Sequence, residues 1–166
     1  MQTVLTRFKC WRHSKGFGIH SPFAFRFVTE VLCQPLHYYA YSRIGRDRRL
    51  RLLFRLVLAF RPGTVAVLSA QPDKLRLTAA LPSSALKFAS PGCADMLIVD
   101  ADDVLLAEYI PHIAAGAHAL VLNGTRQTTR AIREAMPSGM TFDNRCGTLV
   151  VAAYPHLPRQ DFDVMF

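Results

Sequence analysis

His20 stands in the stretch GFGIHSPFAF, residues 16 to 25, between two glycines and a helix-start signal. An imidazole titrates near neutral pH, so His20 is a candidate general base. The same stretch is compatible with a phosphate-binding loop, a nucleic-acid arm or a lid over a small-molecule pocket, and also with a loop histidine that holds a helix cap. Asp100 and Asp102 follow the apolar run DMLIV. Carboxylates there either orient a bound molecule or cap the strand end and the next helix. Cys10, His13, His20 and Cys33 could be strung together as zinc ligands, but their spacings match no familiar site. The four cysteines, at 10, 33, 93 and 146, include no CxxC and read as reduced thiols.

The elements that must position these groups fall into three stretches. Ser21-Pro22 predicts a helix start, with Ser as cap and Pro at the first helical position, and Phe23, Phe27 and Val31 carry the helix to about Gln34-Pro35. Residues 46 to 60, RDRRLRLLFRLVLAF, read as a second helix. Leu50, Leu53, Phe54 and Val57 form its apolar stripe, Arg48, Arg51 and Arg55 share the other side, and Asp47 is spaced to pair with Arg51. That arginine side is either a solvated face or an anion-binding one.

After RPG the pattern becomes an alternation of strands (64–69, 85–88, 95–100, 118–123) with helices (73–81, 104–114, 128–136), Pro111 marking a kink or break. Strand-helix alternation predicts a parallel α/β sheet. The tail differs: MTFDN and GTLVVAAY flank a short Asn144-Arg145-Cys146 turn and predict an antiparallel hairpin, and DFDVMF alternates polar and apolar residues. The predicted organisation is a helical cap region, 1–61, on an α/β core, 62–166, in one compact domain.

A chain of 166 residues with 51% hydrophobic and 19% charged content is long enough to bury a core. No apolar run approaches the ~18 residues of a membrane span, and Arg7, Lys9 and Arg12 interrupt the N-terminus. A cytoplasmic protein is expected. The net charge of +8 is uneven: residues 1 to 55 hold eleven Lys/Arg against Glu30 and Asp47, or +9, and the rest of the chain sums to −1. Any anionic partner is therefore expected at the N-terminal third.

GFGIHSPFAFRFVTEVL, HYYAYSRI, RLLFRLVLAFRPGTVAVL, ADMLIVDADD and the closing GTLVVAAY…QDFDVMF together resemble a bacterial group of class I S-adenosylmethionine-dependent methyltransferases with a Gly-x-Gly-[IV]-His-Ser-Pro-Phe entrance. The resemblance implies a Rossmann-like sheet, a terminal hairpin, and N-terminal helices over the carboxyl edge of the strands, where ligands bind. The departures are specific. The family's glycine-rich loop after the first strand is replaced by VAVLSAQPDK, and the acid expected after the second strand by Lys87 and Ser90. Only about two dozen residues separate Ser69 from Asp95, too few for the usual helix, strand, helix and strand. A strand and its helices are missing, so the sheet is a truncated one. IVDADD resembles the motif in which metal-dependent O-methyltransferases use the first Asp as a cation ligand. The resemblance then makes Asp100 and Asn123 the metal candidates, with one of three ligands absent, so that Mg²⁺ would be held weakly.

Three functions stay open. One is a methyltransferase-like protein that has lost or weakened S-adenosylmethionine binding and serves as a structural or partner-binding module. The second is an active methyltransferase, with Ser69, Ala70, Gln71 and Asp100 at the cofactor, Asp100 and Asp102 at the acceptor or a metal, and His20 as base. The third is a nucleic-acid binder using the basic third with Trp11, Phe17 and Phe23. A truncated sheet exposes an edge, which predicts a homodimer through that edge.

Overall fold

The computed structural model describes residues 10–35, 37–70, 77–81 and 86–166. Ser21 caps the first helix as expected, its hydroxyl accepting from the Ala24 N–H at 3.3 Å, with Pro22 at the first helical position. This helix, α1 (Pro22–Arg26), widens into a π-helical turn, Phe27–Leu32. The Thr29 hydroxyl donates to the Phe25 and Arg26 carbonyls, the acceptors that a regular turn would use, which explains the widening. A short helix α2 (Tyr41–Ile44) ends at Gly45, whose φ of 81° needs no side chain in the way. Helix α3 (Arg48–Phe60) is capped by Asp47, which accepts from the N–H groups of Arg49 and Leu50. Arg51, expected to pair with Asp47, gives its Nε to the Gly45 carbonyl at 2.7 Å.

Seven strands make one mixed, mostly parallel sheet: β1 (Thr64–Leu68), β2 (Lys87–Phe88), β3 (Met96–Asp100), β4 (His118–Leu122), β5 (Met140–Asp143), β6 (Leu149–Ala152) and β7 (Gln160–Asp163), in the order β2-β1-β3-β4-β6-β5-β7. The β5–β6 hairpin is antiparallel as predicted, with β6 inserted between β4 and β5; β7 runs parallel to β5 along the edge. Helices α4 (Leu106–Ala114) and α5 (Arg126–Ala135) complete the fold. β3 is buried along its whole length, as its unbroken apolar run requires of a central strand covered on both faces. Of the predicted 73–81 helix, residues 77–79 are helical and 73–76 lie outside the described residues.

The core has two layers. On one face, Ala24, Phe27, Val28, Leu53, Leu56 and Val57 pack against Val65, Ile98, Leu120, Phe142 and Val150. On the other, Tyr109, Ile113 and Ile132 pack against Leu97, Val99, Ala119, Val121 and Val151. Phe27 stacks between Phe60 and Phe142, at 5.4 and 5.0 Å, contacts worth about 0.5–1.5 kcal/mol each beyond burial.

Three expectations change. The N-terminal helices are a layer on the face of the sheet, not a cap over its carboxyl edge, because their apolar residues match the apolar face of the strands. Pro111 lies inside α4 without ending it. The second strand contracts to Lys87–Phe88. Among the described residues no helix is long and apolar enough to cross a membrane.

Candidate functional site

From β1 the chain moves outward to β2 and then returns past β1 to β3, so strand order reverses between β1 and β3. Ligands of open α/β sheets bind at the carboxyl ends of the strands beside such a reversal. Ser69 and Ala70 are there, directly after β1. The N–H of Ala70 donates to Asp103 Oδ2 at 2.7 Å, and the Ser69 hydroxyl lies 3.4 Å from the same oxygen. A bound cofactor would need these donors, and a carboxylate of the chain already takes them. Gln71, the third expected contact, lies outside the described residues.

Asp100, at the end of β3, is only 7% exposed. Its two carboxylate oxygens lie 2.9 and 3.1 Å from Asn123 Nδ2, and Oδ1 accepts from the Asp102 N–H at 3.3 Å. Asn123 has φ 53°, a left-handed conformation that Asn tolerates. The β5–β6 turn supports it: the Gly147 carbonyl accepts from Gly124 N–H at 2.9 Å. A Cβ on Gly147, itself at φ 91°, would come within 3.4 Å of the Gly124 carbonyl. Asp100 and Asn123 thus meet, but as carboxylate and amide donor. Among the described residues no three His, Cys, Asp or Glu side chains are grouped to hold a metal ion. Asp102 is exposed, in the bend after β3.

The remaining candidates are elsewhere. His20 is exposed ahead of the α1 cap, and among the described residues its ring has no hydrogen-bond partner. His13 Nδ1 lies 3.0 Å from the Asp163 carbonyl, and the Cys33 thiol donates to the Met165 carbonyl. Phe23 belongs to the core, stacked on Phe27 and edge-on to Tyr154. Trp11 and Phe17 are exposed, at 48% and 59%.

A second place on the same carboxyl edge is furnished differently. A cavity of about 990 Å³ opens between the first half of α3, the segment after α1, and the β5–β6 turn. Lys15, Arg48, Arg49, Arg51 and Arg55 line it, together with His37, and among the described residues no Asp or Glu side chain does. Two of these arginines are held in position. Arg51 is fixed by the Gly45 carbonyl and lies over the Tyr41 ring, 4.6 Å from its centre. Arg55 donates to the Leu32 carbonyl at 3.0 Å and to the Tyr41 hydroxyl at 3.3 Å. Its Nε is buried, with no hydrogen-bond partner among the described residues. Lys15, Arg48 and Arg49 are exposed at the mouth. Burial pushes the Cys33 thiol in the wall up to about 11, against the pull of Arg55 and Lys15, so it is no nucleophile at neutral pH.

Sequence reasoning singled out Arg48, Arg51 and Arg55 as one helix side but missed Lys15, Arg49 and Tyr41. It weighed Asp100 and Asp102, and missed Asp103. Nothing local distinguishes these neighbouring acids; the path of the bend after β3 brings Asp103 back to β1. No family model, curated protein or solved structure matches the chain.

Proposed function

We propose that the chain is a methyltransferase-like α/β module that acts by binding, with the S-adenosylmethionine site of its fold given up. The observation that carries this reading is the Asp103 carboxylate seated on the Ala70 N–H and the Ser69 hydroxyl. Nucleoside-binding loops leave such donors free and use glycine so that backbone approaches the ligand closely. Here the donors are taken, and Ala89 and Ser90, with no acid, follow β2 where a ribose-binding carboxylate is expected. The residues present do not fit S-adenosylmethionine, and with Asn123 donating to both oxygens of Asp100 they do not fit a divalent cation either.

The strand order supports the methyltransferase-like part. The run β2-β1-β3-β4 has the 2-1-4-5 sequence of a doubly wound sheet whose third strand is absent. A homodimer through the short, exposed β2 edge belongs to the same reading, since Phe88 is 58% exposed there. The competing reading, an active methyltransferase with His20 and Asp102 in catalysis, requires Asp103 to release Ala70.

The test is isothermal titration of the full chain with S-adenosylmethionine and S-adenosylhomocysteine, with and without Mg²⁺. No heat and no thermal shift are expected. Micromolar binding of either ligand would return the chain to the enzymes.

A further inference from the structure

We propose that the cavity between α3 and the β5–β6 turn is a binding site for a small molecule carrying two or more linked phosphoryl groups. This rests on the reading of the chain as a binding module, but on different residues from those that carry that reading.

The first argument is charge. Four arginines and a lysine share one cavity with no carboxylate side chain among the described residues of its lining. Like charges gathered in a concave, partly dry site repel one another, and a bound polyanion removes that penalty. A single carboxylate would neutralise a small part of it; linked phosphoryl groups neutralise most.

The second is preorganisation. The guanidinium groups of Arg51 and Arg55 are fixed by the Gly45 and Leu32 carbonyls and by Tyr41, before any ligand arrives. A guanidinium carries five N–H donors in a rigid fork, more than these contacts use. Planar forks match phosphate oxygens two at a time, and four arginines to one lysine is the composition expected of phosphate recognition. The exposed Lys15, Arg48 and Arg49 serve the outer phosphoryl groups, where position varies with the ligand.

Size and remaining chemistry agree. A cavity of about 990 Å³ suits a small molecule and not a macromolecular groove. Leu32, Leu52 and Tyr41 give it an apolar flank for the organic part of a phosphate ester. α3 also points its N-terminus to this edge, which favours anions, although Asp47 already occupies two of its N–H groups.

The experiment is calorimetric titration of the full chain, in 150 mM KCl, with inorganic tripolyphosphate, orthophosphate, citrate and a single-stranded oligonucleotide. Tripolyphosphate is expected to bind one per chain and raise the melting temperature in proportion to the logarithm of its concentration. Orthophosphate and citrate are expected to bind at least about tenfold more weakly, having fewer linked phosphoryl oxygens for the arginine forks. R48E reverses one mouth charge and R55K keeps the charge but removes the fork; each is expected to weaken binding about tenfold or more. R48E places an acid in the first turn of α3, where it favours the helix, so its loss of binding is not a loss of folding.

Citrate binding as tightly as tripolyphosphate overturns the phosphoryl assignment. Unchanged affinity in R48E and R55K overturns the site. Oligonucleotide binding with a steep salt dependence and none by tripolyphosphate replaces the small molecule with nucleic acid. S-adenosylmethionine binding alongside tripolyphosphate would overturn the proposed function and leave this site standing.

Discussion

Along one edge of the sheet, two places are built on opposite plans. Between β1 and β3 two carboxylates have internal donors: Asp103 has the Ala70 N–H, and Asp100 has the Asn123 amide. Beside the β5–β6 turn, five cations line a cavity with no Asp or Glu side chain among the described residues of its lining. Polar groups that are satisfied internally hold a fold together; groups left in mutual repulsion lower its stability and persist where something else needs them. The first place reads as a site turned into structure. The second reads as a site kept open.

That contrast predicts effects of opposite sign. The largest belongs to Asn123. N123A removes the amide that donates to both oxygens of the nearly buried Asp100 carboxylate, leaving it the Asp102 N–H, and puts Ala in a left-handed conformation, a loss of about 2–4 kcal/mol by urea denaturation. N123G keeps the backbone conformation available and is expected to lose less. A change in N123A below about 0.5 kcal/mol, the range of a neutral surface substitution, would mean that Asp100 is free for a ligand and the contrast is wrong.

His118, at the amino end of β4 and away from both places, sets the pH dependence. Burial pushes its imidazole below the ordinary value of about 6.5, outweighing the upward pull of Asp95. Its Nδ1 accepts from the Ala153 N–H at 3.1 Å, and its ring stacks on Phe60 at 4.1 Å. The unfolded chain takes up this proton first, so the contribution is complete above about pH 6.5 and is lost as pH falls below it. Chemical denaturation from pH 8 to 5 should show the decline, and H118Q, which retains an acceptor and does not titrate, should flatten it.

Smaller still is D103A. The exposed Asp103 contributes about 0.5–1.5 kcal/mol through its hydrogen bond, and its removal lowers stability in that range without creating S-adenosylmethionine binding. A variant that gains micromolar affinity would sharpen the comparison in an unexpected way, because one carboxylate would then be all that closes the site. The smallest effect has the other sign. R48Q relieves repulsion with Arg51 one turn away and removes a cation from the first turn of α3, raising ligand-free stability by about 0.3–0.5 kcal/mol in a thermal melt. A fall in stability would mean that Arg48 has an internal role and that the cavity is less open than its charges indicate.

The alternation of strands and helices, the Ser21-Pro22 start, the β5–β6 hairpin and the arginine side of α3 were legible in the chain, because each follows from local periodicity, capping or turn chemistry. The missing glycine loop after β1 was legible too, as an absence over a short stretch. The π-helical turn was harder: Thr29 competes for carbonyls only when a helix has already formed around it. Pro111 does not break α4 because packing of Tyr109 and Ile113 against the sheet outweighs one lost backbone bond.

By itself the sequence determined the α/β class, the hairpin, and the concentration of positive charge in the first 55 residues, since composition and period act over a few neighbours at a time. Tertiary structure alone decided which charges became a site. Lys15, Arg49 and Arg55 share a cavity, Asp103 reaches Ala70 from 33 residues away, and Asn123 meets Asp100 across adjacent strands. These juxtapositions depend on strand order and on the layer in which each helix packs, and a pattern read along the chain has no distance across it.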